Sequence, residues 1–186
     1  MDITQAIATR RSIRSYTNEP VTKEELERLV SLAVKAPTGS GMEPWGFVAL
    51  QDRREIDELS ERIKKKVLDN LEDYPQFSQY ETWLRSDKYH IFNHAGTVLI
   101  IYGDTNSHWH VYDCSLVAGN IMLAGQDEGI GCCWIGFAEA LFDDAAFKAA
   151  HQVPEHFHLV ATLSMGHTKV PVPPCTRKPP VFFSWN

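Results

Sequence analysis

Residues 97–135 read TVLIIYGDTNSHWHVYDCSLVAGNIMLAGQDEGIGCCWI, and this stretch shows how the interior of the protein is built. Residues 97–102 are mainly β-branched and apolar, which predicts a buried strand. Residues 109 to about 127 are apolar on nearly every side of a helical wheel, which is typical of a buried helix. A Gly-Ile-Gly sequence ends that helix, and residues 132–135 form a second candidate strand. The interior therefore contains both strands and a buried helix.

Helical and extended patterns continue on both sides of this stretch. The other predicted elements are a short helix over residues 2–10, a helix between residues 22 and 37, a strand over 47–50, an amphipathic helix over 53–71, an irregular aromatic segment over 72–94, a short helix over 142–150 and a strand over 157–165. Thr22 and Glu25 make a T-x-x-E capping box for the second helix, and Pro37 stops it. The length of 186 residues favours one domain spanning residues 1–186.

Residues 170–186 form a tail of a different kind. Prolines at positions 171, 173, 174, 179 and 180 forbid a helix and discourage a central strand, so this arm should be extended. Its tip nevertheless carries Val181, Phe182, Phe183 and Trp185, which a solvated tail would not normally expose. We therefore expect the arm to dock, either on its own domain or on a partner subunit.

The bulk composition excludes several functions. A net charge of −6 argues against a nucleic-acid or anionic-membrane surface. No stretch is as long and apolar as a secretory signal or a transmembrane helix, so a cytoplasmic location is the expectation. Cys114, Cys132, Cys133 and Cys175 show no CxxC spacing, which favours free thiols in a reducing compartment.

A basic cluster in an acidic protein is the first candidate site. Arg10, Arg11 and Arg14 surround Ser12 within five residues, just after the first helix. Guanidinium groups pair with phosphate oxygens through charge-assisted hydrogen bonds. The alternative is a solvated charge run, but the apolar Ile13 between Ser12 and Arg14 indicates that the segment lies against the fold.

Three further segments could contribute to a binding site. Residues 36–45, APTGSGMEPW, offer small residues that let a flat ring approach the backbone, without the GKS or GKT of a P-loop. Residues 129–137, GIGCCWIGF, place glycines on both sides of a strand, without a GxGxxG motif. The dibasic pair Arg177 and Lys178 lies in the stiff arm. Each could equally be a plain connection or a solvated pair.

Taken in order, the four motifs RRSIRSY, APTGSGMEPW, GIGCCWIG and RKPP resemble the nitroreductase family of FMN-dependent oxidoreductases. The resemblance covers nearly the whole chain except the variable residues 65–95. It implies an α+β fold with a mixed central β-sheet flanked by helices. It also implies a homodimer with two FMN sites at the interface and a C-terminal arm that wraps the other subunit.

The resemblance also implies roles for individual residues. Arg10, Arg11 and Ser12 would hold the FMN phosphate and ribityl region, and Arg14 would approach N1 and O2 of the isoalloxazine. The remaining implied cofactor-binding residues are Pro37, Thr38, Gly39 and Gly41 from the second subunit, Ile135 and Gly136 near N5, and Arg177 and Lys178 at the phosphate. Two positions depart from the family pattern, because Gly41 stands where an Asn is common and Glu43 where a Gln is common. An amide that could bond the flavin is thereby lost, and Glu43 adds a negative charge, so the flavin's electronics and affinity are expected to differ from those of the family.

The implied reaction needs no side-chain nucleophile or general base. Hydride from NADH or NADPH passes through FMN to a nitroaromatic, quinone or similar small acceptor in ping-pong turnover. The alternatives are another flavin reaction, such as reductive dehalogenation, enone reduction or flavin fragmentation, and a flavin-binding protein without turnover.

Two other residue groups leave alternatives open. Tyr74, Phe77, Tyr80 and Trp83 recur every three residues and form either a packed helix face or a lid that stacks substrate over the flavin. The eight histidines match no zinc-site spacing, so hydrogen-bonded or solvated histidine is favoured over a metal site.

Overall fold

The computed structural model describes residues 1–170, 172–173 and 175–185. It contains a sheet of four strands with helices on both faces. The strands are β1 (Trp45–Leu50), β2 (Thr97–Asp104), β3 (Ile130–Trp134) and β4 (Phe157–His167). The helices are α1 (Ile3–Thr9), α2 (Lys23–Ala33), α3 (Arg53–Asp69), α4 (Glu81–Leu84), α5 (His110–Asp127) and α6 (Ala145–Ala150).

The strand order is β1-β2-β4-β3, and each neighbouring pair is antiparallel. Strands β2 and β3 run in the same direction, but β4 lies between them and separates them. The sheet is therefore antiparallel throughout the described residues, whereas the resemblance implied a mixed sheet. The α+β class itself agrees with the expectation.

The two faces of the sheet are covered by different helices. Alternate residues of β2 point to opposite sides, as the two-residue period of a strand requires. Leu99 and Ile101 pack with α2 and α5, whereas Val98 and Ile100 pack with α3. The inward residues predicted for α3 all lie in the core cluster that contains Val98 and Ile100: Ile56, Leu59, Ile63 and Val67.

Several predicted boundaries shift in the structure. The capping box of α2 is present, with reciprocal hydrogen bonds between Thr22 and Glu25. However, α2 ends at Ala33, before Pro37, because Pro37 has no N–H to bond the Ala33 carbonyl and its ring would clash with that carbonyl in a continued helix. The predicted helix over 142–150 begins only at Ala145. The irregular segment contains one short 3₁₀ helix, Pro75–Tyr80, followed by α4.

Helix α5 is buried on one side only. Cys114, Val117 and Ile121 are fully enclosed against the sheet. On its other side Tyr112 is 64% exposed, and Leu116 is exposed as well. The prediction of a helix buried all round is therefore wrong for a single chain, because the sheet covers only one face. An apolar helix face is left open to solvent.

The C-terminal arm begins in contact with the domain and then leaves it. Thr168 bridges Tyr16, and Val172 packs near Ile13. Residues 175–185 contain neither helix nor strand, and Phe183 is fully exposed. Of the prolines predicted to stiffen the arm, Pro171 and Pro174 lie outside the described residues. Residues 175–185 are exposed, so this part of the arm is not buried against its own domain.

The cysteines and the lengths of the helices are also addressed by the sequence. All four cysteines are free thiols, and all but Cys175 are buried. Among the described residues, no helix combines the length and the apolar character needed to cross a bilayer.

Candidate functional site

The arginine loop, residues 10–16, lies along the outer edge of β3. The Ile13 amide donates a hydrogen bond to the carbonyl of Cys132 at 3.0 Å. The Ile13 side chain covers Gly131, where an added Cβ would lie 2.6 Å from the Ile13 Cβ. The prediction that Ile13 holds this segment against the fold is confirmed. The loop is therefore fixed by the sheet while its polar side chains stay on the outside.

Tyr16 locks the far end of the arginine loop. Its hydroxyl donates to the Ile13 carbonyl at 2.6 Å and lies 2.9 Å from Ser164 Oγ on β4. Burial raises the pKa of Tyr16 well above its ordinary value, so the hydroxyl remains a hydrogen-bond donor at any physiological pH. Tyr16, the last residue of the motif RRSIRSY, therefore attaches the loop to β4.

The three arginines of the loop make no ion pair with any described carboxylate. Arg28, by contrast, binds Glu128 through two guanidinium nitrogens, at 2.8 and 2.6 Å. Arg10 and Arg11 are half-buried and Arg14 is exposed. In a chain with net charge −6, a cluster of guanidinium groups without acidic partners has the charge and the hydrogen-bond donors to bind an anion.

Arg14 extends toward the end of β3. Burial raises the pKa of the Cys133 thiol, and the Arg14 charge together with hydrogen bonds from Ser12 and Arg14 partly opposes that rise. Burial likewise raises the pKa of Tyr89, again opposed by Arg14. The guanidinium is therefore close to both Cys133 and Tyr89. This position places a positive charge beside the strand that leads to Ile135.

The glycine loop, residues 37–41, is held at the opposite end of the molecule. The Gly39 amide donates to both carboxylate oxygens of Asp113, each at 3.1 Å. A Cβ at position 39 would overlap Cγ and Cδ1 of Trp109, so only glycine fits. Ser40 and Gly41 follow in left-handed conformations, with φ of 55° and 64°. The loop is thus anchored to the first turn of α5.

The two loops do not meet within one chain. The glycine loop touches the first turn of α5, whereas the arginine loop follows α1, which packs on the last turn of α5. There Gln126 Nε2 donates to the Ala6 carbonyl at 2.7 Å. Helix α5 has 18 residues, which corresponds to a length of about 27 Å. The residues predicted to bind one cofactor therefore form two groups at opposite ends of this helix.

The turn after β3 presents open backbone. The Ile135 amide donates to the Thr162 carbonyl at 2.8 Å, and Gly136 is exposed with no atom within 4 Å of where a Cβ would stand. Phe137 follows and contacts Tyr80 and Tyr89. The aromatic segment over residues 74–89 thus borders the Ile135–Gly136 backbone, near the reach of Arg14.

The other predicted site residues are not joined to these groups. Arg177 and Lys178 are exposed in the arm, and no hydrogen bond to a described residue ties either of them to the arginine loop. Pro37 is exposed and Thr38 is half-buried at the entry to the glycine loop. Sequence reasoning missed Trp109 and Asp113, which support that loop.

A cluster of Asp57, His90 and His94 brings ligand-type atoms within 4.8 Å of one another. His90 Nδ1 accepts hydrogen bonds from two backbone amides, those of Phe92 and His94, at 3.1 and 3.3 Å. Its proton must therefore be on Nε2, which lies 3.0 Å from Asp57 Oδ1. Burial also lowers the pKa of His90, which favours this neutral form. Both ring nitrogens are engaged, so the cluster is a hydrogen-bonded structural group.

Comparison with known proteins assigns the chain to a family. The model of the nitroreductase family matches residues 7–167, and the chain therefore belongs to the nitroreductase family. The family predicted from the four sequence motifs is confirmed. The enzyme class, an oxidoreductase of the nitroreductase type, is confirmed with it.

Two of the relatives match most of the chain, and a third matches a shorter segment. A protein of Archaeoglobus fulgidus with the provisional name NADH dehydrogenase/NAD(P)H nitroreductase is 26% identical over 168 residues, covering 88% of this chain and 83% of its own. The FMN reductase (NADPH) of Bacillus subtilis is 26% identical over 168 residues, covering 88% and 64%. The iodotyrosine deiodinase of Danio rerio is 41% identical over 63 residues, covering 31% and 21%.

Solved structures confirm the fold. A nitroreductase with bound FMN from Bacteroides fragilis superposes with a TM-score of 0.85 at 24% identity, covering all of both chains. An iodotyrosine deiodinase bound to FMN and 3-iodo-L-tyrosine superposes with a TM-score of 0.74 at 20% identity, covering 100% of this chain and 99% of the other.

Proposed function

We propose that two copies of the chain bind two FMN molecules between them and use NADH or NADPH to reduce nitroaromatic, quinone or similar electron-poor acceptors by ping-pong turnover. The observation that carries this proposal is the arginine loop. Arg10, Arg11 and Arg14 lie together on the sheet edge without an acidic partner among the described residues. A phosphate monoester is the anion that such a group of guanidinium forks fits best.

The residues present match the parts of FMN. Arg10, Arg11 and Ser12 would hold its phosphate and ribityl chain, and Arg14 would place its charge beside the N1–O2 edge of the ring. When bound, FMN supplies the hydride chemistry itself. Arg14 would stabilise negative charge at that edge, which is the contribution expected of a fixed cation. The exposed Gly136 leaves room for the ring to approach the end of β3.

A homodimer would complete the site. Because the two loops lie at opposite ends of α5, a twofold axis that packs α5 against its copy in antiparallel orientation would place the glycine loop of one chain near the arginine loop of the other. The exposed apolar side of α5, with Val111, Tyr112 and Leu116, provides a surface for this contact. Pro37, Thr38, Gly39 and Gly41 would then reach the flavin from the second copy.

The arm would strengthen the same dimer. Its exposed aromatic tip needs an apolar surface, and the outer edge of β1 carries no strand among the described residues. Beside that edge, Leu26, Val30 and Phe47 line a groove of about 440 Å³. An exchanged arm that pairs parallel to β1 would make the sheet mixed. The same exchange would carry Arg177 and Lys178 toward the cofactor phosphate.

The first experiment measures the cofactor. Purified protein should show a flavin spectrum, release FMN identifiable by mass, and bleach anaerobically with NADH or NADPH. Arg14→Ala should weaken FMN binding, whereas Arg62→Ala, an exposed arginine of α3 outside the site, should not. A colourless protein that takes up no added FMN, or a monomer in solution, would refute the proposal.

The electron acceptor would need a surface on which to stack beside the flavin. Tyr80, Trp83 and Tyr89 form a connected aromatic group beside Gly136, and Trp83 is 57% exposed. We propose that this group stacks a planar acceptor over the flavin. Trp83→Ala should then raise KM for nitroaromatics and quinones without changing FMN affinity. An unchanged KM would show that these rings only pack against Phe137.

Reductive dehalogenation is the second candidate reaction. The observation that supports it is the sequence match to iodotyrosine deiodinase, 41% identical over 63 residues. Iodide release from 3-iodo-L-tyrosine by the reduced protein, compared with nitroaromatic turnover by the same preparation, separates the two. The reaction with the higher kcat/KM identifies the class.

A further inference from the structure

Asp113 is a buried carboxylate without a basic partner. It is 4% exposed, lies in the first turn of α5, and forms no ion pair with any described lysine, arginine or histidine. Burial of an unpaired charge is costly, so its compensation must come from backbone amides. The Gly39 amide supplies two contacts at 3.1 Å, and the positive end of the α5 dipole is beside it.

The glycine loop, which Asp113 holds, contains backbone in an unfavourable conformation. Ser40 has φ of 55°, a left-handed conformation that is unfavourable for a residue with a Cβ. Trp109 closes the other side of Gly39, so the loop is fixed between a carboxylate and an indole. Strained backbone of this kind persists only where its surroundings hold it in place. Asp113 is the polar half of that support.

We infer that Asp113 is a positioning residue that fixes the glycine loop for the FMN held by the arginine loop of the second copy. The inference rests on the proposed function. Asp113 does not touch the cofactor; it acts through the Gly39 amide. Because the glycine loop and the arginine loop of one chain are a helix length apart, its effect should fall on the site built around the other chain's Arg14.

The first test compares three variants by FMN titration. Asp113→Ala removes a charge-assisted hydrogen bond and should weaken FMN binding about 10- to 100-fold. Asp113→Asn keeps an oxygen that accepts from Gly39, so it should recover most of the affinity and also serves if the alanine variant fails to fold. Asp69→Ala, an exposed aspartate of α3, should match the wild type.

The titration also separates positioning from bulk stability. A positioning role predicts weaker FMN binding in a dimer of normal size, with the asparagine variant intermediate. If Asp113→Ala and Asp113→Asn lower the melting temperature of the apoprotein but bind FMN with wild-type affinity, the inference is wrong. A wild-type protein that takes up no FMN overturns the proposed function instead, and this is known before any variant is compared.

A mixed dimer tests whether Asp113 acts on the other subunit's site. One subunit carries Asp113→Ala and the other carries Arg14→Ala, with different affinity tags for purification. If Asp113 acts across the dimer, both defects fall on one site and the other site is intact. The mixed dimer should then bind one FMN with wild-type affinity. If no site has wild-type affinity, Asp113 acts within its own chain and the inference is overturned.

Discussion

The arginine loop and the glycine loop are both anchored to the fold by hydrogen bonds that involve backbone groups. The elements that anchor them differ. The arginine loop is attached to a sheet edge through the Ile13 amide and the Tyr16 hydroxyl, and its charged side chains form no ion pair with any described residue. The glycine loop is attached to a helix end through Asp113 and Trp109, and it offers backbone and small side chains. One region supplies charge and the other supplies shape.

The two loops should therefore be sensitive to different kinds of substitution. Changes to the arginine side chains should affect ligand binding and leave the fold intact, because those side chains make no ion pair within the described chain. Changes to the glycine loop should alter its backbone, because its function is its conformation. Each loop is incomplete as a site within one chain, and the proposed dimer would bring the two loops together.

The largest effect should come from removing charge from the arginine loop. The double substitution Arg10→Ala with Arg14→Ala should lower FMN affinity about 10²- to 10⁴-fold, because each lost charge-assisted contact contributes about 1.5–3 kcal/mol. The free energy of unfolding of the apoprotein should be unchanged. Flavin fluorescence titration and urea unfolding measure the two quantities.

The control for this prediction is a pair of exposed arginines outside the arginine loop. Arg54→Ala with Arg62→Ala, both on α3, removes the same charge from a surface away from the loop. FMN affinity should stay within about threefold of the wild type, since long-range charge is largely screened at physiological salt. Equal losses in the two double variants would mean that only net charge matters and that the arginine loop is not the phosphate site.

The next effect should come from the shape of the glycine loop. Gly39→Ala places a methyl group against Trp109 Cγ, an atom too near the helix backbone to move aside. Overpacking of this kind costs about 1–3 kcal/mol, which corresponds to FMN affinity lowered about 5- to 150-fold if the loop gives way. The measurement is FMN titration together with the melting temperature of the apoprotein.

Gly41→Asn is the matched variant two residues along. Its φ of 64° suits asparagine, and no atom lies within 4 Å of the added Cβ. It also restores the residue common in the family, so its FMN affinity should equal or exceed that of the wild type. A loss equal to that of Gly39→Ala would show that the loop tolerates no side chain at either position.

A smaller effect should come from the packing that supports the arginine loop. Gly131→Ala brings a Cβ to 2.6 Å from Ile13 and should lower the free energy of unfolding by about 1–3 kcal/mol. Combining it with Ile13→Ala removes the overlaps with Cγ1 and Cγ2, although the Ile13 Cβ remains, so part of the clash is relieved and the two effects should not add. A double-mutant cycle by urea unfolding measures the coupling. Strict additivity would show that Ile13 does not rest on this glycine.

The sequence predicted the elements whose signals are local. The capping box of Thr22 and Glu25 involves neighbouring residues, and the apolar face of α3 follows a repeat within one helix. Ile13, apolar between polar residues, correctly indicated a buried point in the arginine loop. The family resemblance rested on four short motifs, each of which can be read without knowing what lies beside it.

The remainder depended on contacts between distant residues. Gly39 and Asp113 are 74 positions apart, and no local pattern links them. The insertion of β4 between β2 and β3, which makes the described sheet antiparallel, is likewise a tertiary choice. The open side of α5 was predicted to be buried because its residues are apolar. Sequence alone cannot say whether a sheet or a second chain covers an apolar face.

The smallest effect should come from the Tyr16 hydroxyl, which supports the arginine loop without carrying charge to the ligand. Tyr16→Phe leaves the ring in place but removes the contacts with the Ile13 carbonyl and Ser164 Oγ. The free energy of unfolding at pH 7 should fall by about 1–2 kcal/mol, and FMN affinity should fall by less than about threefold.

The stabilising effect of the Tyr16 hydroxyl should depend on pH. Burial raises the pKa of Tyr16 above its ordinary value of 10.0, so above that pH the unfolded chain loses the proton while the native chain keeps it. The stability contributed by the hydroxyl is therefore complete below pH 10 and declines as the pH rises further. The difference between wild type and Tyr16→Phe should narrow above pH 10. A difference that stays constant through that range would mean that the hydroxyl is not held in a buried, protonated state, and that the arginine loop owes its position to Ile13 alone.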